Sequence, residues 1–112
     1  MAKYERSLIC DIDELADYIE SGIINGSLSA SLEAGSYYSN GDTTCIVKVF
    51  ERYSMIGKNR VALNVTLVGD ENDEVFISAI TSGGSQAVLF KINTIGEDAF
   101  LDKLISLVEN YN

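Results

Sequence analysis

A chain of 112 residues, 46% apolar and 22% charged, fits one domain around one hydrophobic core and excludes the disordered and fibrous classes. Seventeen acidic residues against eight basic ones give a net charge of −9, a field that repels phosphate backbones and anionic membranes, so neither nucleic acid nor a membrane is expected as a partner. No histidine is present, which removes the base of the common serine and cysteine triads and a usual zinc ligand.

The amino-terminal segment MAKYERSLIC carries charges where a secretory signal needs an apolar core, and no apolar run approaches the ~20 residues that cross a bilayer; a cytoplasmic location is expected. Within it, Tyr4 to Ile9 reads as a first strand. The period then changes: Ile12, Leu15, Ala16, Ile19 and Ile23 fall on one face of a helix, with Asp13, Glu14, Asp17 and Glu20 elsewhere. Asp11 and Glu14 have the spacing of a capping box. Gly22 and the pair Asn25-Gly26 offer left-handed conformations to end the helix.

From Ser27 the period becomes two. Leu28, Ala30, Leu32 and Ala34 alternate with polar residues, and the pattern recurs at Cys45, Val47 and Val49, at Val61, Leu63, Val65 and Leu67, and at Val75, Ile77 and Ala79. These four strands are separated by the turn-rich breaks GSYYSNGD, SMIGKN and GDENDE, short enough for an antiparallel meander. The strand at 61–67 is expected to be central. After Ser82-Gly83-Gly84-Ser85, the alternation of Val88, Phe90 and Ile92 predicts a fifth strand of that run. A closing helix is expected from Thr94, with Glu97 completing a second capping box and Phe100, Leu101, Leu104, Ile105 and Val108 as its apolar stripe. The fold expected is α+β, a single domain over residues 1–112: strand, helix, an antiparallel meander of four to five strands, helix, with both helices on one face of the sheet.

The motifs Glu51-Arg52-Tyr53-Ser54 and Asn59-Arg60-Val61 and the block from Ser78 to Thr94 resemble those of a family of small uncharacterised proteins of Gram-positive bacteria, a domain of unknown function, over nearly the whole chain. That resemblance implies a bacterial protein and brings no activity or site residue with it. The element order also resembles the TATA-binding-protein-like fold or a shortened helix-grip fold, and fold does not fix function.

No catalytic residue, metal site or cofactor is assigned. Ser82-Gly83-Gly84-Ser85 lacks the GxxxxGK[ST] and GxGxxG patterns and leads into a predicted strand rather than a helix, so it reads as a turn or bulge and not as an anion cradle. Asp70-Glu71-Asn72-Asp73-Glu74 lacks the glycine and glutamate of a calcium loop and reads as a solvated hairpin turn. Cys10 and Cys45 have no CxxC spacing and read as small apolar residues. Arg52 and Arg60 are placed to pair with acids across a hairpin.

The side of the sheet away from the helices is the candidate functional surface. With Cys45, Val47 and Val49 assigned to the core, it receives Ser29, Ser31, Lys48, Phe50, Arg52, Asn64, Thr66, Phe76, Ser78 and Ile80, a mixed set suited to contact. A non-enzymatic binding domain using this face and the Ser82 to Gln86 turn (Ser82, Gly83, Gly84, Ser85, Gln86) follows, its partner a second copy or another protein. The alternative is a small-molecule carrier or enzyme using Glu51, Arg52 and Tyr53 in a cavity between the sheet and the closing helix.

Overall fold

The computed structural model describes residues 1–54, 59–70, 73–83 and 90–111. The order is β1 (Ala2–Ile9), α1 (Ile12–Asn25), β2 (Ser31–Asn40), β3 (Thr43–Ser54), β4 (Asn59–Gly69), β5 (Glu74–Gly83) and α2 (Phe90–Glu109). The five strands form one antiparallel sheet in the order β1-β5-β4-β3-β2, so β4 is its centre and β1 and β2 are its edges. Both helices pack against one face.

Helix α1 starts where its cap predicts: the Asp11 carboxylate accepts the Glu14 amide at 3.0 Å, which satisfies a donor that the first turn leaves unpaired. Its apolar stripe Leu15, Ala16, Ile19 and Ile23 is buried. The helix does not end in a left-handed residue. Gly22 lies within it, and the cap, Gly26, has φ −92° with its N–H bonded to the Gly22 carbonyl. A Cβ on Gly22 would stand 2.5 Å from the Leu107 side chain, so the glycine lets α1 and α2 approach closely.

The strands depart from expectation in two places. β2 begins at Ser31 and continues through Gly35, Tyr37 and Tyr38 to Asn40, so the segment read as a break is strand, and the reversal falls on Gly41-Asp42. Gly41 has φ +61°, which puts a positive φ at the first central residue of a two-residue hairpin loop and makes glycine the residue for it. Leu28 lies ahead of the strand and is fully exposed, and a bulge between Leu32 and Ala34 sends these two residues to opposite faces. At the other end, Phe90 to Ile92 are helical and the expected fifth strand of the run does not form there. Thr94 therefore sits inside α2 rather than at its cap, while Phe100, Leu101, Leu104 and Val108 supply the buried stripe as expected.

Strand β4 carries the core. Val61, Leu63, Val65 and Leu67 are all buried, as are Val75, Ile77 and Ala79 beside them on β5. Register fixes what joins them from β3: Ile46 stands beside Leu67, Lys48 beside Val65, Phe50 beside Leu63 and Arg52 beside Val61. Cross-strand partners share a face. The helix side of β3 is therefore Ile46, Lys48, Phe50 and Arg52, and the assignment of Cys45, Val47 and Val49 to the core is inverted.

Both cations on that buried side have a local reason to be there. Lys48 reaches Glu20 of α1 at 2.5 Å, and the Arg52 guanidinium lies over the Phe100 ring, 4.6 Å from its centroid. Burial lowers the Arg52 pKa from its ordinary value. Phe50, expected on the open face, is wholly buried.

Candidate functional site

Among the described residues nothing covers the face away from the helices, and the register arranges it in rows running across the strands. Tyr38, Cys45, Val68, Phe76 and Ser7 make one row. Ser36, Val47, Thr66, Ser78 and Glu5 make the next, then Ala34, Val49, Asn64, Ile80 and Lys3, and last Ser31, Glu51, Ala62 and Ser82. Phe76, Ile80 and Val68 are each about two-fifths exposed (41%, 38% and 37%), which is substantial for large apolar side chains flanked by neighbours on both sides.

Charge is confined to the margins of this face. Lys3 and Glu5 stand 4.0 Å apart on edge strand β1, and Ser78 donates to Glu5 at 3.2 Å. At the opposite corner Arg60 holds Glu51 at 2.8 Å and Glu33 at 3.9 Å, while Ser31 donates to Glu33. The pairing expected for Arg60 across the hairpin is present; Arg52 instead turns to Phe100. At the centre, Thr66 donates to the Asn64 side-chain oxygen at 3.1 Å, a polar pair without charge. What the face offers is apolar area with a few hydroxyls and an amide, the composition of a contact surface.

Asn64 and Phe76 therefore lie on the open face as expected, and Glu51 and Tyr53 join them. Glu51 lies on the same face as Val47 and Val49, which is the open one. Glu51 and Tyr53 consequently point away from α2 and do not line a space between the sheet and the closing helix; Arg52 alone of the three faces α2. Ser82 and Gly83 are the last residues of β5, paired with Ala62 and Val61, while Gly84, Ser85 and Gln86 lie outside the described residues. Gly83 has a packing reason: a Cβ there would stand 2.9 Å from the Arg60 carbonyl oxygen and 3.0 Å from the Val61 Cα.

Among the described residues, shallow grooves border the sheet. One of about 310 Å³ runs between Asp13, Ala16 and Asp17 of α1 and the β2–β3 segment Gly35 to Tyr37 and Ile46 to Lys48. Another, also about 310 Å³, lies at the corner of the open face among Ser7, Thr43, Val68, Gly69, Asp70, Glu74 and Phe76. Asp73, with φ 61°, bonds its amide to the Asp70 carbonyl oxygen in the acidic turn. Among the described residues no group of three or more Cys, Asp or Glu side chains is gathered as a metal site, and both cysteines are free thiols. Burial, then the neighbouring Asp11, Asp73 and Glu14, push the Cys10 thiol pKa up, away from the reactive thiolate.

Comparison with known proteins assigns the chain as a whole. A family of unknown function, DUF6054, matches residues 1–112. The chain belongs to that family. No curated protein and no solved structure matches it. Membership in DUF6054 brings no activity, so the chemistry of this chain rests on its own faces and grooves. Among the described residues of the DUF6054 chain, no helix is long and apolar enough to cross a membrane.

The rows of the open face were half visible in the sequence. In β4 and β5 every second residue from Val61 to Leu67 and from Val75 to Ala79 is apolar while Asn64, Thr66 and Ser78 stand opposite, so Asn64, Thr66, Phe76 and Ile80 could be placed. β3 is apolar on both sides, and there only the register with β4 decides.

Proposed function

We propose that this DUF6054 chain is a non-enzymatic protein-interaction domain whose docking surface is the uncovered face of its sheet. One observation carries the reading: the centre of that face, from Val47 and Val49 across Asn64 and Thr66 to Phe76 and Ile80, is uncharged and largely apolar in a chain of net charge −9. Interface centres are depleted of charge and surrounded by a polar rim, and here the rim is formed by Lys3, Glu5, Glu51 and Arg60. A merely solvated sheet face has no need to exclude charge from its middle while α1 beside it carries Asp13, Glu14, Asp17 and Glu20.

Position-specific photo-cross-linking tests this. A benzoylphenylalanine placed at Phe76 or Ile80 should form protein adducts in cells, and the same group at Ser21, exposed on α1, should not. Adducts no more frequent from the sheet face than from Ser21 would remove the face as a docking surface.

A further inference from the structure

We infer that the occupant of this face is a second copy of the chain, packed sheet to sheet about a twofold axis; this rests on the reading of the face as a docking surface. The area is right. Five strands spaced ~4.8 Å apart, each offering about eight residues at ~3.3 Å, sweep roughly 600 Å² in projection before side-chain relief is added, against the ~800 Å² that each partner contributes to a standard stable interface.

The charge distribution also permits it. Two chains of net charge −9 repel if their acids meet, but α1 carries Asp13, Glu14, Asp17 and Glu20, and α2 carries Asp102 and Glu109, all on the helical layer. Stacking the open faces puts both helical layers on the outside, further apart than the ~10 Å between packed sheets and beyond a Debye length of ~8 Å at physiological ionic strength. At the rim Lys3 is paired with Glu5 and Arg60 with Glu51 within each chain, and the acids Asp70 and Glu74 stand at one corner of the face, away from its centre. A partner of another kind would meet the same apolar centre; a copy brings an equal area and an equally charge-free middle by construction of the twofold.

Because β4 is the third of five strands, Asn64 and Thr66 lie near the middle of the face and hence near the twofold whichever way its axis runs. The Asn64 amide then meets its symmetry mate or the mate's Thr66 hydroxyl, a polar contact that sets register within an apolar contact.

Sedimentation equilibrium and light scattering at micromolar concentration decide it. The wild type should have twice the chain mass of 12.2 kDa. Phe76→Asp and Ile80→Asp should weaken the dimer by about 100-fold or more, since each buries an unpaired carboxylate. Ser21→Asp should leave it intact, and circular dichroism should show all three folded. A bis-maleimide should join Thr66→Cys chains in a Cys10→Ser, Cys45→Ser background only in the wild-type assembly and not with Phe76→Asp added. A monomeric wild type overturns the proposal; if the Phe76 cross-linker still captures other proteins, the docking face survives and only self-pairing falls. A dimer that persists in both aspartate variants also overturns it, by placing the contact elsewhere.

Discussion

The two faces of one sheet have been treated differently by the same strands. On the helix side, β4 and β5 present Val61, Leu63, Val65, Leu67, Val75, Ile77 and Ala79, none more than 2% exposed, beneath two helices. On the other side they present Val68, Phe76 and Ile80 around Asn64 and Thr66, with nearly two-fifths of each apolar side chain in water. Where polar groups enter the helix side they are compensated on the spot, Lys48 by Glu20 and Arg52 by the Phe100 ring. Among the described residues the open side has no such covering. The contrast teaches that the core described needs only one face of the sheet, so the apolar content of the other is not explained by packing under the helices, and the proposed docking role accounts for it.

The largest effect should come from placing the same charge on each side. Val65→Asp buries a carboxylate at the centre of the sheet, at a cost of several kcal/mol against a total domain stability of ~5–15 kcal/mol, and should abolish cooperative melting. Val49→Asp, on the open face beside Asn64, should fold and melt cooperatively. Calorimetry of both variants checks this. A soluble, cooperatively melting Val65→Asp protein would break the distinction between the faces.

Truncation sharpens it. Phe50→Ala should destabilise by ~3–5 kcal/mol because the cavity lies under the helices, whereas Phe76→Ala in the monomer should change stability by less than ~1 kcal/mol. Urea titration of the two variants should rank them in that order; equal losses would mean that Phe76 also serves the fold.

Glycine substitutions make a smaller and more local comparison. Gly83→Ala forces a Cβ against the backbone of Arg60 and Val61 and should cost ~1–3 kcal/mol, while Gly35→Ala on edge strand β2 meets nothing nearer than the Val47 carbonyl oxygen at 3.6 Å and should be neutral. Thermal melts suffice, and a harmless Gly83→Ala would show that β4 and β5 separate easily at that end.

How far the sequence revealed these two faces depended on the strand. The unbroken apolar sets Val61 to Leu67 and Val75 to Ala79 opposite Asn64, Thr66 and Ser78 let the faces of β4 and β5 be read directly, and the N-cap and stripe of α1 and the stripe in the second half of α2 were equally plain. In β3 the odd positions Cys45, Val47 and Val49 and the even positions Ile46 and Phe50 are all apolar; Lys48 and Arg52 then suggested that the even side was wet. They are partnered from the helices, a long-range fact that periodicity does not carry. β2 was shortened in the reading because Gly35 and the serines resemble a loop, although the hairpin with β3 needs only Gly41 at its tip. Of the alternation Val88, Phe90 and Ile92, Val88 lies outside the described residues, and at Phe90 and Ile92 the strand gives way to helix because a short apolar run fits either equally well.

The smallest effect expected is a titration at the helix side of edge strand β1. Tyr4 and Arg6 both reach the Glu109 carboxylate of α2 at 2.7 Å. Hydrogen bonds from Tyr4, then Arg6, hold its pKa below the ordinary 4.5. A carboxyl depressed on folding stabilises above its unfolded pKa, and that contribution is lost as pH falls through the lower, folded value. Glu109→Gln should therefore lower the melting temperature slightly at neutral pH and flatten its decline below about pH 4.5, the ordinary value. Parallel melting curves for wild type and variant across that range would detach β1 from α2.

The uncovered face itself is tested most directly by the access of a soluble paramagnetic agent to its methyl groups. Leu28, fully exposed, and Leu63, fully buried, calibrate the two limits of relaxation in the same sample. In concentrated wild-type protein the methyls of Val47, Val49 and Ile80 should relax near the Leu63 limit, and on dilution or in Phe76→Asp they should move toward Leu28. Methyls equally accessible at every concentration and in every variant would contradict a face built for contact with a second copy.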